Sequence, residues 1–509
     1  MANLSFALAG GQPPLSAGNT GSGIQPRQWQ SQLVQLMRAR LVKARPGGQD
    51  VLIHAGPGAG KTLGALLGFQ RLHQEGRLER FLVFCHRSSI ALQWQDAASR
   101  LGLRLERWDP ELGLNPLAAG QGWQGLVLSY QSAARHRPRL EAAWNDPWLT
   151  PGASPAEGSC GGRWLAIADE VHHLGIDPEE PEAAAWGHAF SRFTETAALR
   201  LGLTGTPFRA DNLAFCAARR ERLRQGDEVV ERITPDLSVE PRRLIAAGDV
   251  RPLEFRFQDG WVEHGRAASP EGLQHGDTET SPLSAESRES WRARNLRRAI
   301  RLGDSSSIAL RLLLSARTRL ERVRREHPEA GGLVIARDIA HAREVSDLLI
   351  EQGDRVHLVH SQDCAAADHL RAFKEGDADW LVSIDMCAEG FDAPRLRVVA
   401  YLTTVVTRSR FVQAITRAVR MDAKRAAQEA IPRHPSYVFA PADPLLISYA
   451  RSWSLSEPYL LRTRPPLAAA AGQGGSPGSL QPLEAIDEEA GAMLRMRGPQ
   501  LPGFLRRSA

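Results

Sequence analysis

Short, almost continuously apolar runs set the frame of this 509-residue chain: VLIHA (51–55), FLVFC (81–85), GLVLSY (125–130), WLAIA (164–168) and LRLGLTG (199–205). A strand with one wet face alternates apolar and polar residues, whereas an unbroken apolar run needs cover on both sides of the pleat. That is the signature of a parallel sheet held between helical layers. Helical stretches such as TLGALLGFQRLHQ (62–74) and SIALQWQDAASRL (89–101) separate the runs. A second series follows: GLVIA (332–336), VHLVHS (356–361), WLVSID (380–385) and LRVVAYLTTV (396–405). It is accompanied by the helical stretches 338–353 and 410–421. The expected fold class is α/β, with two tandem domains of parallel sheet flanked by helices.

The remaining segments divide the chain. Residues 1–23, rich in Gly, Ser, Pro and Ala, read as a disordered tail, and 24–211 as the first domain, interrupted by a loop at 145–163. Residues 212–305 read as a linker or insert. It holds a charged helical stretch (216–225), a strand pair around PLEFRFQDGWVEH (252–264) and a mobile loop (264–290). The second domain spans 306–445, and 446–509 is a partly disordered C-terminal extension. Trp164 and Trp380 open buried strands, so they read as core rather than as base-stacking platforms.

Composition narrows the class. No apolar run approaches the roughly 18 residues of a membrane span. The N-terminal stretch lacks the basic region of a secretory signal. Five cysteines are scattered without a CxxC pair, which supplies neither a zinc site nor a disulfide framework. A cytoplasmic protein is expected. A net charge of +5 and a pI near 9.1 permit a polyanionic partner without requiring one.

VLIHAGPGAGKTLGALL places a glycine-rich turn between an expected strand and an expected helix. Such a turn bares successive backbone N–H groups, and the helix start adds the positive end of its dipole, a cradle for phosphate. Ala55, Gly56, Pro57, Gly58, Ala59 and Gly60 form the cradle. Lys61 reaches the phosphates, and the Thr62 hydroxyl suits Mg²⁺. The alternative is a glycine-rich turn with an incidental lysine. Lysine occurs at only four positions, and the other 59 of the 63 basic residues are arginine, so composition does not account for Lys61.

WLAIADEVHH (164–173) ends a buried run in two carboxylates. Asp169 suits a Mg²⁺ ligand, and Glu170 a group that orients and deprotonates an attacking water. The alternative is an acidic pair that merely opens a loop.

With LTGTPFR (203–209), MCAEGFDAP (386–394) and QAITRAVR (413–420) added, the chain resembles superfamily 2 nucleic-acid helicases and translocases. The likeness is to the DEAH-like group of restriction-enzyme motor subunits and repair helicases, and it covers roughly 24–440. It implies two RecA-like domains, with ATP in the cleft between them and nucleic acid crossing both. By this resemblance Gln28, in IQPRQWQ, corresponds to the adenine-contacting glutamine. His172, Thr204, Gly205, Thr206 and Gln413 belong to the motifs that couple hydrolysis to domain movement. Gly390 and Asp392 match the fifth motif, near the ribose and the strand. Arg417 and Arg420 match the sixth, as arginine fingers reaching the γ-phosphate. Three apart on a helix, both can face one cleft. The alternative for them is a solvated basic face in an arginine-rich chain. Four positions depart from the pattern: Ala55 and Thr416 stand where glycines are usual, and His86–Arg87 replace a Pro–Thr pair.

Strand binding in this family is largely sequence-independent. His86, Arg87, Ser88, Arg209, Thr403 and Thr404 are the expected contacts. The ARHRPR run (134–139) either lines the same path or is a surface loop. The expected function is an ATP-dependent helicase or translocase, with DNA favoured over RNA. An RNA helicase and a weakly hydrolysing subunit of a complex are the alternatives. Protein partners are expected to use 212–305 or the C-terminal tail, and no membrane is involved.

Overall fold

The computed structural model describes residues 25–42, 49–108, 123–145, 163–176, 185–205, 214–215, 220–225, 228–265, 278–303, 307–384, 391–453, 459–462 and 493–497. Within them the apolar runs become two parallel sheets. The first contains β1 (Asp50–Ala55), β2 (Arg80–Cys85), β3 (Leu105–Arg107), β4 (Gly125–Ser129), β5 (Trp164–Asp169), β6 (Leu199–Thr204) and β7 (Leu237–Val239). Their spatial order is β7-β1-β6-β5-β2-β4-β3. Every neighbouring pair is parallel. All carboxyl ends therefore share one edge, and Ala55, Asp169 and Thr204 end their strands there.

Both faces of this sheet are covered, which explains why all six residues of β5 are buried. On one face α1 (Gln28–Val42), α2 (Lys61–Gln74) and α3 (Ser88–Arg100) bring Leu33, Met37, Leu66, Phe69 and Trp94 against Val51, Ile53, Val83 and Ile167. On the other, Tyr130, Leu140, Trp144 and Phe190 pack on Leu82, Phe84, Leu126 and Ala166. Truncating a leucine to alanine in either layer costs about 2–5 kcal/mol.

The second sheet contains β8 (Leu253–Gln258), β9 (Gly331–Ala336), β10 (Val356–Val359), β11 (Trp380–Ser383), β12 (Leu396–Leu402) and β13 (Ser436–Pro441). It runs in the order β8-β13-β12-β9-β11-β10, again all parallel. Helices Ile308–Glu326 and Ile339–Glu351 supply Leu312, Leu320, Val345 and Leu349 to one face. Phe373, Phe411 and Leu446 come from helices on the other. Ser307 and Asp338 start their helices by accepting the Leu310 and His341 N–H groups. Trp164 and Trp380 are buried at their strand openings, as expected.

The described residues of 212–305 hold more strand than the sequence implies, and they feed both sheets. β7 is an edge of the first and β8 an edge of the second, so the chain crosses between domains over residues 240–252. The stretch expected to be helical at 216–225 holds instead a strand, Arg220–Gln225, paired antiparallel with Glu228–Ile233. The backbone register sets Arg222 opposite Glu231 and Glu221 opposite Arg232. Strands do form over 253–258 and 261–265, but not with each other. The first joins β13, and the second pairs antiparallel with Thr278–Pro282, inside the expected loop 264–290. Residues 266–277, the tail 1–23 and most of the loop 145–163 lie outside the described residues.

Past 445 the helix Pro444–Ser452 continues, and Tyr459–Arg462 and Met493–Arg497 add strands to the small sheets. The ARHRPR run spans the junction of two short helices, Tyr130–Arg135 and Arg137–Asn145. Among the described residues, no helix is long and apolar enough to cross a membrane.

Candidate nucleotide site

The turn from β1 to α2 is held open by positive-φ glycines: Gly58 at φ 77° and Gly60 at φ 80°. A side chain at either position would be strained. At Gly58 it would also meet the Val250 side chain at 2.9 Å. The start of α1 ties down three successive loop carbonyls. Arg27 donates to the Gly58 oxygen (2.7 Å), Trp29 Nε1 to Ala59 (3.0 Å) and Gln30 Nε2 to Gly60 (3.1 Å). Carbonyl and following N–H point oppositely across a trans peptide. The N–H groups of Gly60 and Lys61 are thus turned away from α1, toward the side a phosphate would occupy.

Lys61 Nζ donates to Glu170 Oε1 at 2.9 Å. Glu170 sits directly after β5 with φ 50° and ψ 56°, the one non-glycine residue of positive φ among the described residues. This conformation costs about 1–3 kcal/mol, and the site secures it with several contacts. The Gly205 N–H donates to Glu170 Oε2 (3.2 Å), and His172 Nδ1 lies 3.4 Å from the same oxygen and 3.2 Å from Thr204 Oγ1. A Cβ at Gly205 would stand 2.7 Å from Lys61 Nζ, so the bare glycine lets the ammonium come close without shifting. His172 and Thr204, both expected in coupling roles, are therefore in contact with each other and, through His172, with Glu170.

Asp169 is buried. Trp94 Nε1 donates to its Oδ2 (2.7 Å), the Glu170 N–H to its Oδ1 (3.0 Å), and the Tyr130 hydroxyl to its backbone oxygen (2.7 Å). Burial pushes the Glu170 carboxyl up, but Lys61 and His172 outweigh it and hold the group well below the usual carboxylate range. Asp169 is driven upward, first by burial and then by the Glu170 charge. Below the loop, burial and the Lys61 ammonium push His54 down to about 4, so its imidazole adds no second charge.

The second domain brings Arg420 to this loop. Its Cγ lies 3.8 Å, and Val419 Cγ2 3.7 Å, from where a Cβ on Gly58 would be. Its guanidinium pairs with Asp392 at 3.0 Å. Arg417 is buried and donates to the Phe391 carbonyl at 2.9 Å, and its charge, like that of Arg420, acts on Asp392. Arg417 lies in the 3₁₀ turn Thr416–Val419, and Arg420 follows it in extended backbone. Thr416, in the usual glycine position, is buried and donates back to the Val412 carbonyl (2.5 Å), closing the helix end. Gln413 is half-buried on the helix Arg408–Ile415.

Of the remaining expected residues, Gln28 is exposed at the start of α1, while Gln30 holds the loop. His86 and Arg87 are half-buried after β2, with His86 stacked on His173 at 4.4 Å. Thr403 is buried and Thr404 half-buried beyond β12. Ser88 opens α3. Thr206, Arg209 and Gly390 lie outside the described residues. Arg27, Trp29, Gln30, Trp94 and Tyr130 were not expected here. The period of α1 carries a signal for two of them, since Trp29, Gln30, Leu33, Val34 and Met37 make one buried stripe that excludes Gln28.

Two parallel sheets, a phosphate loop on the first and an arginine of the second laid over that loop define the tandem RecA-like fold of superfamily 2 helicases, which are ATP-hydrolysing enzymes. Family models agree: residues 23–209 match the type III restriction enzyme res subunit, and 317–422 the helicase conserved C-terminal domain. The chain belongs to the family of the uncharacterized protein ML1624 of Mycobacterium leprae, with 30% identity over 452 residues, 87% of this chain and 67% of that protein. It is also 29% identical to the uncharacterized protein Rv2917 of Mycobacterium tuberculosis, over 81% of this chain and 62% of that one. The chain thus spans about two thirds of the length of these relatives. Among solved structures, the ATP-dependent type ISP restriction-modification enzyme LlaBIII bound to DNA shares the fold. Its TM-score is 0.50 at 12% identity, covering 85% of this chain and 30% of that one.

Proposed function

We propose that this chain is an ATP-dependent DNA translocase or helicase of the cytoplasm, which hydrolyses ATP between its two domains to move along a strand. The observation that carries the reading is the meeting of Lys61, Glu170 and the stem of Arg420 around one glycine turn. ATP phosphates would lie on the Gly60 and Lys61 N–H groups, with Lys61 countering their charge. Glu170, already an ionised acceptor, would orient the attacking water and take its proton. Arg420 would exchange Asp392 for the oxygens that gain charge in the transition state. Gln28, exposed where α1 begins, would face the adenine, and Gly390 and Asp392 the ribose side. Arg417 would support the fifth motif through Phe391 rather than touch phosphate.

The hydroxyl of Thr62, in the first turn of α2, and the buried carboxylate of Asp169 are the hard oxygen donors that Mg²⁺ prefers. When bound, that ion would neutralise phosphate charge. Coupling would run from Glu170 through His172 to Thr204, with Gly205, Thr206 and Gln413 completing the relay. DNA would cross the carboxyl edges of both sheets, near His86, Arg87, Ser88, Arg209, Thr403 and Thr404. The restriction-enzyme family model and the DNA-bound likeness support DNA over RNA.

Steady-state ATP hydrolysis with no polymer, single-stranded DNA, duplex DNA and RNA tests the proposal. Stimulation by DNA that is lost in Lys61→Ala supports it. A rate indifferent to all polymers refutes the motor reading, and stimulation by RNA alone refutes the choice of track.

A further inference from the structure

The crossing segment Asp249–Val250–Arg251 lies between the phosphate loop and the end of the sixth motif. Asp249 Oδ1 is 3.3 Å from Arg27 Nε, and Arg27 in turn holds the Gly58 carbonyl. Val250 is buried against Gly58. Arg251, 1% exposed, is one of the largest fully buried side chains among the described residues. Its backbone N–H donates to the Val419 oxygen (2.9 Å), and its Nη1 to the carbonyls of Arg420 (2.7 Å) and Pro394 (3.2 Å). The other side of the same guanidinium grips Glu429 with two bonds, at 2.5 and 3.3 Å.

We infer that Arg251 is a positioning residue for Arg420, fixing the backbone that carries this arginine over the phosphate loop. The inference rests on the finger role proposed above for Arg420. A guanidinium is suited to the task because its planar fork can serve two carbonyls and one carboxylate at once. An ammonium on a flexible stem cannot span all three. Glu429 is the anchor. It fixes the plane of the fork and pairs the buried charge, so that Arg251 itself has one orientation. Pro394 follows Asp392, the partner of Arg420, by two residues, so one side chain sets both ends of the Asp392–Arg420 pair. Since Arg27, Asp249 and Val250 bind the same segment to the loop, a shift of the loop is passed to Arg420 through three consecutive residues.

The test measures kcat and KM for ATP in Arg251→Lys, Glu429→Gln, Arg420→Ala and the double variant Arg251→Lys/Arg420→Ala, with thermal melting of each. Misplacing a group by about 1 Å costs up to about 100-fold in rate. We therefore expect Arg251→Lys and Glu429→Gln to lower kcat about 10- to 100-fold while KM moves less than about threefold. In the double variant, kcat should equal that of Arg420→Ala alone, because there is no finger left to place. A purely structural role would instead reduce kcat again in the double variant, which overturns the inference. If Arg420→Ala slows turnover but Arg251→Lys and Glu429→Gln melt as the parent and turn over at its rate, positioning is refuted and the finger role stands. Normal turnover in Arg420→Ala refutes the finger role itself. Should Arg251→Lys fail to fold, Glu429→Gln, which removes the anchor and keeps its size, decides in the same way.

Discussion

Replacing Glu170 by glutamine separates two roles that the Lys61–Glu170 pair combines. At 2.9 Å and an effective dielectric constant of about 20, the attraction between the two charges is roughly 6 kcal/mol. Much of that is returned as hydration when the pair parts, since the two side chains keep 13% and 26% exposure. A charge-assisted hydrogen bond of this kind contributes about 1.5–3 kcal/mol net. A phosphate arriving at Lys61 competes with the Glu170 carboxylate for the same ammonium, so part of its binding energy goes to displacing Glu170. Removing the charge relieves that competition. At 1.36 kcal/mol per decade, the limit is about 10- to 100-fold tighter ATP binding. Losing the proton acceptor should at the same time slow turnover about 10²- to 10⁴-fold. Titration with a fluorescent ATP analogue gives the first number, and single-turnover hydrolysis at saturating ATP the second. An affinity weaker than that of the parent would refute the competition, and unchanged turnover would remove Glu170 from the chemistry.

Lys61→Ala should weaken ATP binding by at least tenfold, read in the same titration, with the melting profile little changed. Arg420→Ala should reduce kcat with KM for ATP nearly constant, and a parental rate would return that arginine to an ordinary surface role. Trp94→Phe deletes the indole donor to the buried Asp169 carboxylate while keeping most of the ring, so stability should fall by about 1.5–3 kcal/mol in urea unfolding. Burial pushes the Glu429 carboxyl up, but its bonds to Arg251 prevail and hold it below its ordinary 4.5. Its contribution is therefore present above about pH 4.5 and is lost as pH falls through the lower, folded value. Glu429→Gln should flatten that part of the acid-unfolding curve, and an unchanged curve would refute the assignment.

What was legible in the sequence follows from how locally each feature is determined. The apolar runs located β1, β2, β4, β5 and β6 because a strand covered on both faces must be apolar throughout. The phosphate loop was equally legible, since its glycines, lysine and helix start are contiguous. The hairpin at 220–233 was not, because the charged run RERLR (220–224) has no apolar period and its pairing partner is the next strand. β7 spans only three residues, too few for any period. Gln30 was harder to read, because its hold on the Gly60 carbonyl follows from the buried stripe of α1 rather than from any local motif. Arg251 was invisible for a different reason. In a chain with 59 arginines, nothing local marks the one whose partners are 143–178 residues away.

The short crossing at 240–252 also fixes a pivot. Pro241 lies against Gly56 and Val250 against Gly58, so the chain passes from one sheet to the other directly beside the phosphates' seat. Rotation about such a point moves nearby atoms least and the far rims of the cleft most. Under the proposed function, phosphate chemistry, which tolerates errors of a fraction of an ångström, would thus sit at the still end of the lever. The travel would be delivered at the outer rims, with small changes in the turn geared up into stride.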